Sequence, residues 1–213
     1  MNIEDVRGHY FDLIDFADSA FTEMSVEHPD SVLCKRGCDD CCHAVFGLFL
    51  VEAAFLNEAF QALEKPVRAE TLSRCTEAEQ AAARLEGELR AARHEPERAA
   101  RIMAVERVRC PLLTGSGGCL IYDRRPLTCR VYGIPAVVGG SLKVCGRSAF
   151  SRNGRYGAFN LDAANRGLLE LSTAMIEDIE DSDPEKASLL VSVSKALTSP
   201  VHRIIEENYL KDK

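Results

Sequence analysis

Residues 34–43 read CKRGCDDCCH, which places Cys34, Cys38, Cys41 and Cys42 in the pattern C-x3-C-x2-C-C. Four more cysteines follow at Cys110, Cys119, Cys129 and Cys145, spaced C-x8-C-x9-C-x15-C, and the ninth, Cys75, stands apart. Thiols at this density in a reducing compartment point to metal or an iron–sulfur cluster, and an odd count argues against a disulfide framework. Zinc and iron–sulfur sites both need deprotonated sulfur donors at short range, and pairs two or three residues apart supply them from one turn. Cys34, Cys38 and Cys41 have the spacing for one turn to present three sulfurs to one centre. Cys42 adjoins Cys41, so its side chain is expected to point elsewhere, to a second centre or into the core. The second group is too scattered to define a site locally and depends on the fold to reach the first. Eight thiols allow two four-ligand sites, or one centre with four thiols left over.

Charge follows the cysteines. The 213-residue chain carries a net charge of −7, which argues against general nucleic-acid binding. Residues 1–30 hold eight acids and one base, whereas Arg124, Arg125, Arg130, Lys143, Arg147, Arg152 and Arg155 lie between Cys110 and Tyr156 with Asp123 as the one acid. A basic island at the second cysteine group suits a site that must balance thiolate charge, because buried anions need cations and hydrogen-bond donors nearby. Arg125 and Arg130 are the candidates to support the ligands from behind, by donating to cysteine sulfurs or to backbone carbonyls. Either could instead meet an anionic substrate. Cys75 reads as a small buried apolar residue, and His43 as a neighbour of the site or a solvent-facing side chain.

Working outward, Val6, Tyr10, Leu13, Ile14, Phe16 and Phe21 predict an amphipathic amino-terminal helix to about Met24. A second helix is expected from Phe46, with Pro66 as its stop. Glu52 in that helix is expected to face solvent, or to pair with an arginine near the site. Residues 67–107 read as a helical insertion whose narrow stripe includes Leu72, Cys75, Ala82, Leu85, Leu89 and Ala92, broken at Glu95 and Pro96. This arm is expected to lie on the core, and it is also the candidate surface for a protein partner. From Cys110 to Tyr156, Pro111, Pro126 and Pro135 exclude a continuous helix. Residues 137–144 predict a small hairpin turning at Gly139 and Gly140, and a similar Gly-rich turn is expected between Leu112–Thr114 and Cys119–Tyr122. Helices resume from about 162 to 211, with Asp183 and Ser199 as caps before prolines. The expected fold is therefore mainly α. It is a helical domain with an irregular cysteine-rich metal-binding region containing small β-hairpins, and a single domain covers 1–213 with its cysteine motifs within 34–150.

The amino-terminus has acids where a signal peptide needs bases, and its apolar runs are too short to span a bilayer. A cytoplasmic protein with no membrane partner is the expectation.

The string C-x3-C-x2-C also opens radical S-adenosylmethionine enzymes, but the strand–helix alternation of their fold is missing here and Cys42 departs from their pattern. A different resemblance covers residues 34 to about 150. The motif CKRGCDDCCH at 34–43, CPLL at 110–113, CLIY at 119–122, RPLTCRVY at 125–132 and Cys145 resemble the YkgJ-like cysteine-cluster family, described as a zinc- or iron-chelating domain. The resemblance implies metal binding through Cys34, Cys38, Cys41, Cys42, Cys110, Cys119, Cys129 and Cys145, with [4Fe–4S] clusters or Zn²⁺ as the cofactor. It also makes an iron–sulfur oxidoreductase or a cluster-dependent modifying enzyme the expected activity. The competing expectation is a non-enzymatic, zinc-stabilised interaction or metal-handling module. The C-x3-C-x2-C start fits three corners of a cubane, which favours iron–sulfur by a small margin.

Overall fold

The computed structural model describes residues 1–151, 154–177 and 184–204, with the backbone alone for Ala100, Met103, Ala104 and Pro184. Arg152, Asp183 and the expected helix beyond 204 lie outside the described residues.

Helix α1 (Ile3–Glu27) opens on a reciprocal cap: the amide of Asp5 donates to Asn2 Oδ1 at 2.9 Å, and the Asp5 carboxylate accepts from the Asn2 amide at 3.4 Å. Its buried row is Val6, Tyr10, Ile14, Ala17 and Met24. Phe16, expected on that face, is 62% exposed and touches only the edge of the core through the Phe159 ring. Helix α2 (Leu50–Gln61) is apolar on nearly every side and runs through the interior. Its stop is not Pro66. The chain turns at Ala62, and Pro66 sits in the first turn of α3 (Lys65–Ala91), where its missing N–H costs nothing.

Helix α3 buries Thr71, Cys75, Ala78 and Leu85, while Leu72 lies off the stripe and is exposed. Its first half packs on α7 (Val193–Thr198), and α4 (Pro96–Val105) folds back along it. The arm therefore rests on the core, as expected. Helix α5 (Leu127–Val131) is a short turn packed on α1, and α6 (Leu161–Glu177) packs on both α1 and α2. Short 3₁₀ turns occupy Asp40–His43, Tyr122–Arg124 and Pro184–Ser188.

One contiguous cluster of buried side chains runs through these helices, with Leu48, Leu50, Leu56, Phe60, Leu127, Leu168, Ile176, Leu197 and Ile204 nearly sealed from water. Each such side chain contributes about 1.5–3 kcal/mol by leaving water.

The predicted hairpin forms from β1 (Ala136–Val138) and β2 (Ser141–Lys143), paired antiparallel with Val137 opposite Leu142. Gly139 and Gly140 take φ of 58° and 68°, the positive pair that a tight two-residue turn requires. Asp162, in the first turn of α6, accepts both of their amides at 2.8 and 2.9 Å and so pins the turn to the helical frame. Strand β3 (Phe159–Asn160) adds parallel to β1, giving the order β2–β1–β3. The second Gly-rich turn also forms, with Leu113 bridged to Cys119 and the amide of Leu120 donating to Leu112 at 3.0 Å. Ser199 ends α7 in an extended conformation, and the Ile204 amide donates to Pro200 O at 3.2 Å in the turn that follows.

Candidate metal centre

The first cysteine group sits on two successive turns. The amide of Cys38 donates to Lys35 O at 2.8 Å across Gly37, whose φ of 94° disfavours a side chain there. The amide of Cys42 then donates to Asp39 O at 2.9 Å to wind the 3₁₀ turn. That turn is the hub. Cys42 O accepts the amide of Cys110 at 2.7 Å and His43 O accepts that of Val108 at 3.3 Å, so backbone pairing carries the second group to the first. The bridged turn at 112–120 then brings Cys119 back beside Leu113. Pro126 O accepts the Cys129 amide at 3.1 Å, which sets Cys129 in the first turn of α5.

The fold thus brings all eight grouped cysteines around the turn at 40–43, and they line two separate spaces. Cys34, Cys38, Cys41 and Cys145 surround a small one of about 10 Å³, closed by Tyr132 and Gly133. Cys41, Cys42, Cys110, Cys119 and Cys129 border a larger one of about 100 Å³, walled by residues such as Ala78, Ala82 and Ile121. Cys42 does not line the small space, but its thiol stays beside Cys41, to whose sulfur it donates, and both border the larger space. Cys75 belongs to neither and is 1% exposed within the core. His43 directs Nδ1 at Asp39 O, 3.1 Å away, within its own turn.

All nine cysteines are free thiols. Among the described residues, no three His, Cys, Asp or Glu side chains stand in an arrangement that could hold a metal ion in the rotamers they adopt. Closing a centre therefore requires thiols to turn about χ1 toward the space they already line. The donor set fits the group nonetheless: thiolate is the ligand type that zinc and iron–sulfur centres share.

The electrostatics explain which thiols resist ionising. Burial pushes Cys34 up to about 11 and Cys110 up to about 12, with neighbouring thiols adding to the effect. Burial also raises Cys119 and Cys145. Cys41 goes the other way. Its sulfur accepts from the thiols of Cys129 and then Cys42, which holds it well below the ordinary thiol range and raises both donors in turn. Arg125 is the cation that favours thiolate at Cys34, Cys41 and Cys119. Its guanidinium lies 3.7 Å from the centroid of the Tyr122 ring, with Nε donating to Tyr122 O at 2.9 Å.

Arg130 is occupied differently. It is buried, donates to Arg125 O and Asp123 O at 2.9 and 2.7 Å, and pairs with Asp18 of α1. Of the two roles open to it, Arg130 takes the backbone carbonyls. It shapes the loop that aims Arg125.

Of three further residues near the site, Glu52 has surroundings other than those expected, and Asp40 and Gly133 escaped the sequence reading. Glu52 is 3% exposed, not solvent-facing: its two oxygens accept the amides of Phe49 at 3.2 Å and Leu127 at 2.9 Å. One carboxylate thereby caps α2 and holds the start of α5, two residues before Cys129. Burial raises it to about 7 against the pull of those two N–H donors. Asp40, 8% exposed, meets Cys145 Sγ at 3.4 Å and the Arg147 guanidinium at 3.5 Å. Gly133 lies against Cys34, where a Cβ would come within 2.3 Å of the Cys34 Cβ. Only the Asp39–Asp40 pair inside the cysteine string offered a signal. The other two depend on long-range packing.

The family model described as "Putative zinc- or iron-chelating domain", CxxCxxCC, matches residues 33–145, just over half of the chain. The chain belongs to the CxxCxxCC family. The matched span begins one residue before Cys34 and ends on Cys145, so it contains every cysteine of both spaces and excludes the flanking α1, α6 and α7. It contains Cys75 as well, which is buried on α3 and lines neither space. No curated protein and no solved structure matches the chain. Membership of the CxxCxxCC family supports metal binding. Among the described residues no helix is long and apolar enough to cross a membrane.

Proposed function

We propose that this is a cytoplasmic metal-binding protein that uses its eight grouped cysteines as thiolate ligands, with an iron–sulfur cluster as at least one of the bound groups. The observation that carries the reading is the gathering of those eight thiols around one 3₁₀ turn while Cys75 stays in the core. A bound cluster would supply one-electron chemistry, for electron transfer or for redox-assisted modification of a protein or small molecule. The chain's own residues do the supporting work. Arg125 lowers the cost of collecting thiolates, and Glu52 and Arg130 fix the loop and helix that carry Arg125 and Cys129.

The all-thiolate donor set also favours a second reading, a zinc-stabilised module without enzymatic activity, since tetrahedral sulfur sites suit zinc equally well. Purification of the full chain without oxygen separates the two. The first reading expects coloured protein containing iron and inorganic sulfide. Colourless protein carrying stoichiometric zinc and no sulfide would overturn it in favour of the second.

A further inference from the structure

The two thiol-lined spaces differ tenfold in size, about 10 against about 100 Å³. A cavity needs roughly 10–15 Å³ to admit one water-sized body. The small space among Cys34, Cys38, Cys41 and Cys145 is therefore matched to a single ion, while the larger one has room for a body of several atoms. We propose that the eight cysteines form two unlike centres: a mononuclear site at Cys34, Cys38, Cys41 and Cys145, and a polynuclear iron–sulfur site at Cys42, Cys110, Cys119 and Cys129. The proposal rests on metal binding by the grouped cysteines and adds which thiols hold what.

The surroundings point the same way. The small space has Asp40 beside Cys145, and Asp39 and Arg147 pair at its edge at 2.8 Å. The larger space has the apolar walls that keep solvent from a cluster, and Arg109 and Arg125 are the cations among its lining. Cys41 lines both spaces and its sulfur accepts from the thiols of Cys129 and Cys42; a turn about χ1 away from those two completes the small set with Cys34, Cys38 and Cys145. Cys42, Cys110, Cys119 and Cys129 line only the large space and complete a set of four. The assignment reverses the sequence expectation, in which the C-x3-C-x2-C start held three corners of a cubane. In the fold that local motif encloses too little room, and the scattered cysteines border the space that a cluster needs.

The full chain, produced with iron and zinc both supplied and purified without oxygen, tests this. Wild type should hold a single-ion complement of zinc together with iron and inorganic sulfide. Cys110→Ser and Cys119→Ser should lose the sulfide and the visible band while keeping the zinc. Cys38→Ser and Cys145→Ser should lose the zinc while keeping the sulfide. Loss of sulfide from Cys38→Ser and Cys145→Ser, or loss of both metals from every variant, would overturn the division. If a variant fails to fold, exchange on the wild type decides. Cobalt(II) should replace the zinc and give the spectrum of a tetrahedral thiolate site at unchanged sulfide content, and cobalt that enters only as sulfide leaves would contradict the proposal. Wild type with no tightly bound metal would instead sink the parent reading of metal binding.

Discussion

The helices α1, α2, α6 and α7 bury long rows of aliphatic and aromatic side chains against one another, from Val6 through Phe60 and Leu168 to Leu197. The hub of the cysteine region buries only Cys41, Cys42 and Leu113 as a separate small cluster, with Cys110 and Tyr132 at its edge. The frame therefore has its own source of stability in apolar surface removed from water. The hub has a few backbone hydrogen bonds and a set of thiols whose neutral packing is poor compensation for the conformational entropy lost. On the proposed reading, metal bound at the thiols would have a structural task whatever its chemistry, in place of the core that the hub lacks.

The largest expected effect comes from removing that metal. Structural thiolate sites in small domains contribute on the order of 10 kcal/mol. Chelation of all bound metal should unfold the cysteine region while leaving most of the helical signal of circular dichroism intact, whereas Cys38→Ser and Cys129→Ser should each lose the metal of its own centre. Apparent metal affinity should also rise with pH, because Cys34 and Cys110, raised to about 11 and about 12, must give up their protons to bind. A pH-independent affinity in metal-competition titrations would show that these thiols are not ligands.

Next in size is the tether between the two regions. Glu52→Ala leaves the buried amides of Phe49 and Leu127 without their acceptor, at a cost of about 2–4 kcal/mol in denaturant unfolding. The same carboxyl gives stability a pH slope. Its folded value, about 7, lies above its ordinary 4.5, so the folded state holds a proton that the unfolded state has released. Its contribution is full below about pH 4.5 and declines as pH rises toward about 7. Glu52→Gln should flatten that slope, and an unchanged slope would show that Glu52 is not its source.

Gly133→Ala tests the close approach on the hub side. A methyl 2.3 Å from the Cys34 Cβ forces a backbone or side-chain shift worth about 1–3 kcal/mol, and it should weaken metal retention at Cys34. Smallest is Cys75→Ser, expected to cost about 1 kcal/mol in the frame with metal content unchanged. Metal loss from Cys75→Ser equal to that from Cys38→Ser would break the separation of frame from hub.

How far these regions could be read in advance differs for the same reason. The frame was legible because its signals are local: the spacing of Val6, Tyr10 and Ile14 names a helix, and the Gly139–Gly140 pair names a turn. Where local reading failed, a neighbour elsewhere in the chain decided. Pro66 looked like a stop for α2 because proline both ends and begins helices, and only the turn at Ala62 settles which. Glu52 looked exposed because a lone carboxylate in an apolar run gives no sign of the Leu127 amide it will meet 75 residues later. The cysteine motif told what chemistry to expect, but not which thiols would share a space. That division depends on the pairing of Cys42 with Cys110 and on where β2 delivers Cys145, and neither is encoded in spacing.

The account is tested most directly by hydrogen exchange on the full chain as purified and after its metal has been stripped by chelation without oxygen. It predicts that amides at 34–45 and 108–120 lose protection on stripping while those of α2 and α6 keep theirs. Unchanged exchange across the cysteine region, or a uniform loss that includes α2 and α6, would contradict it.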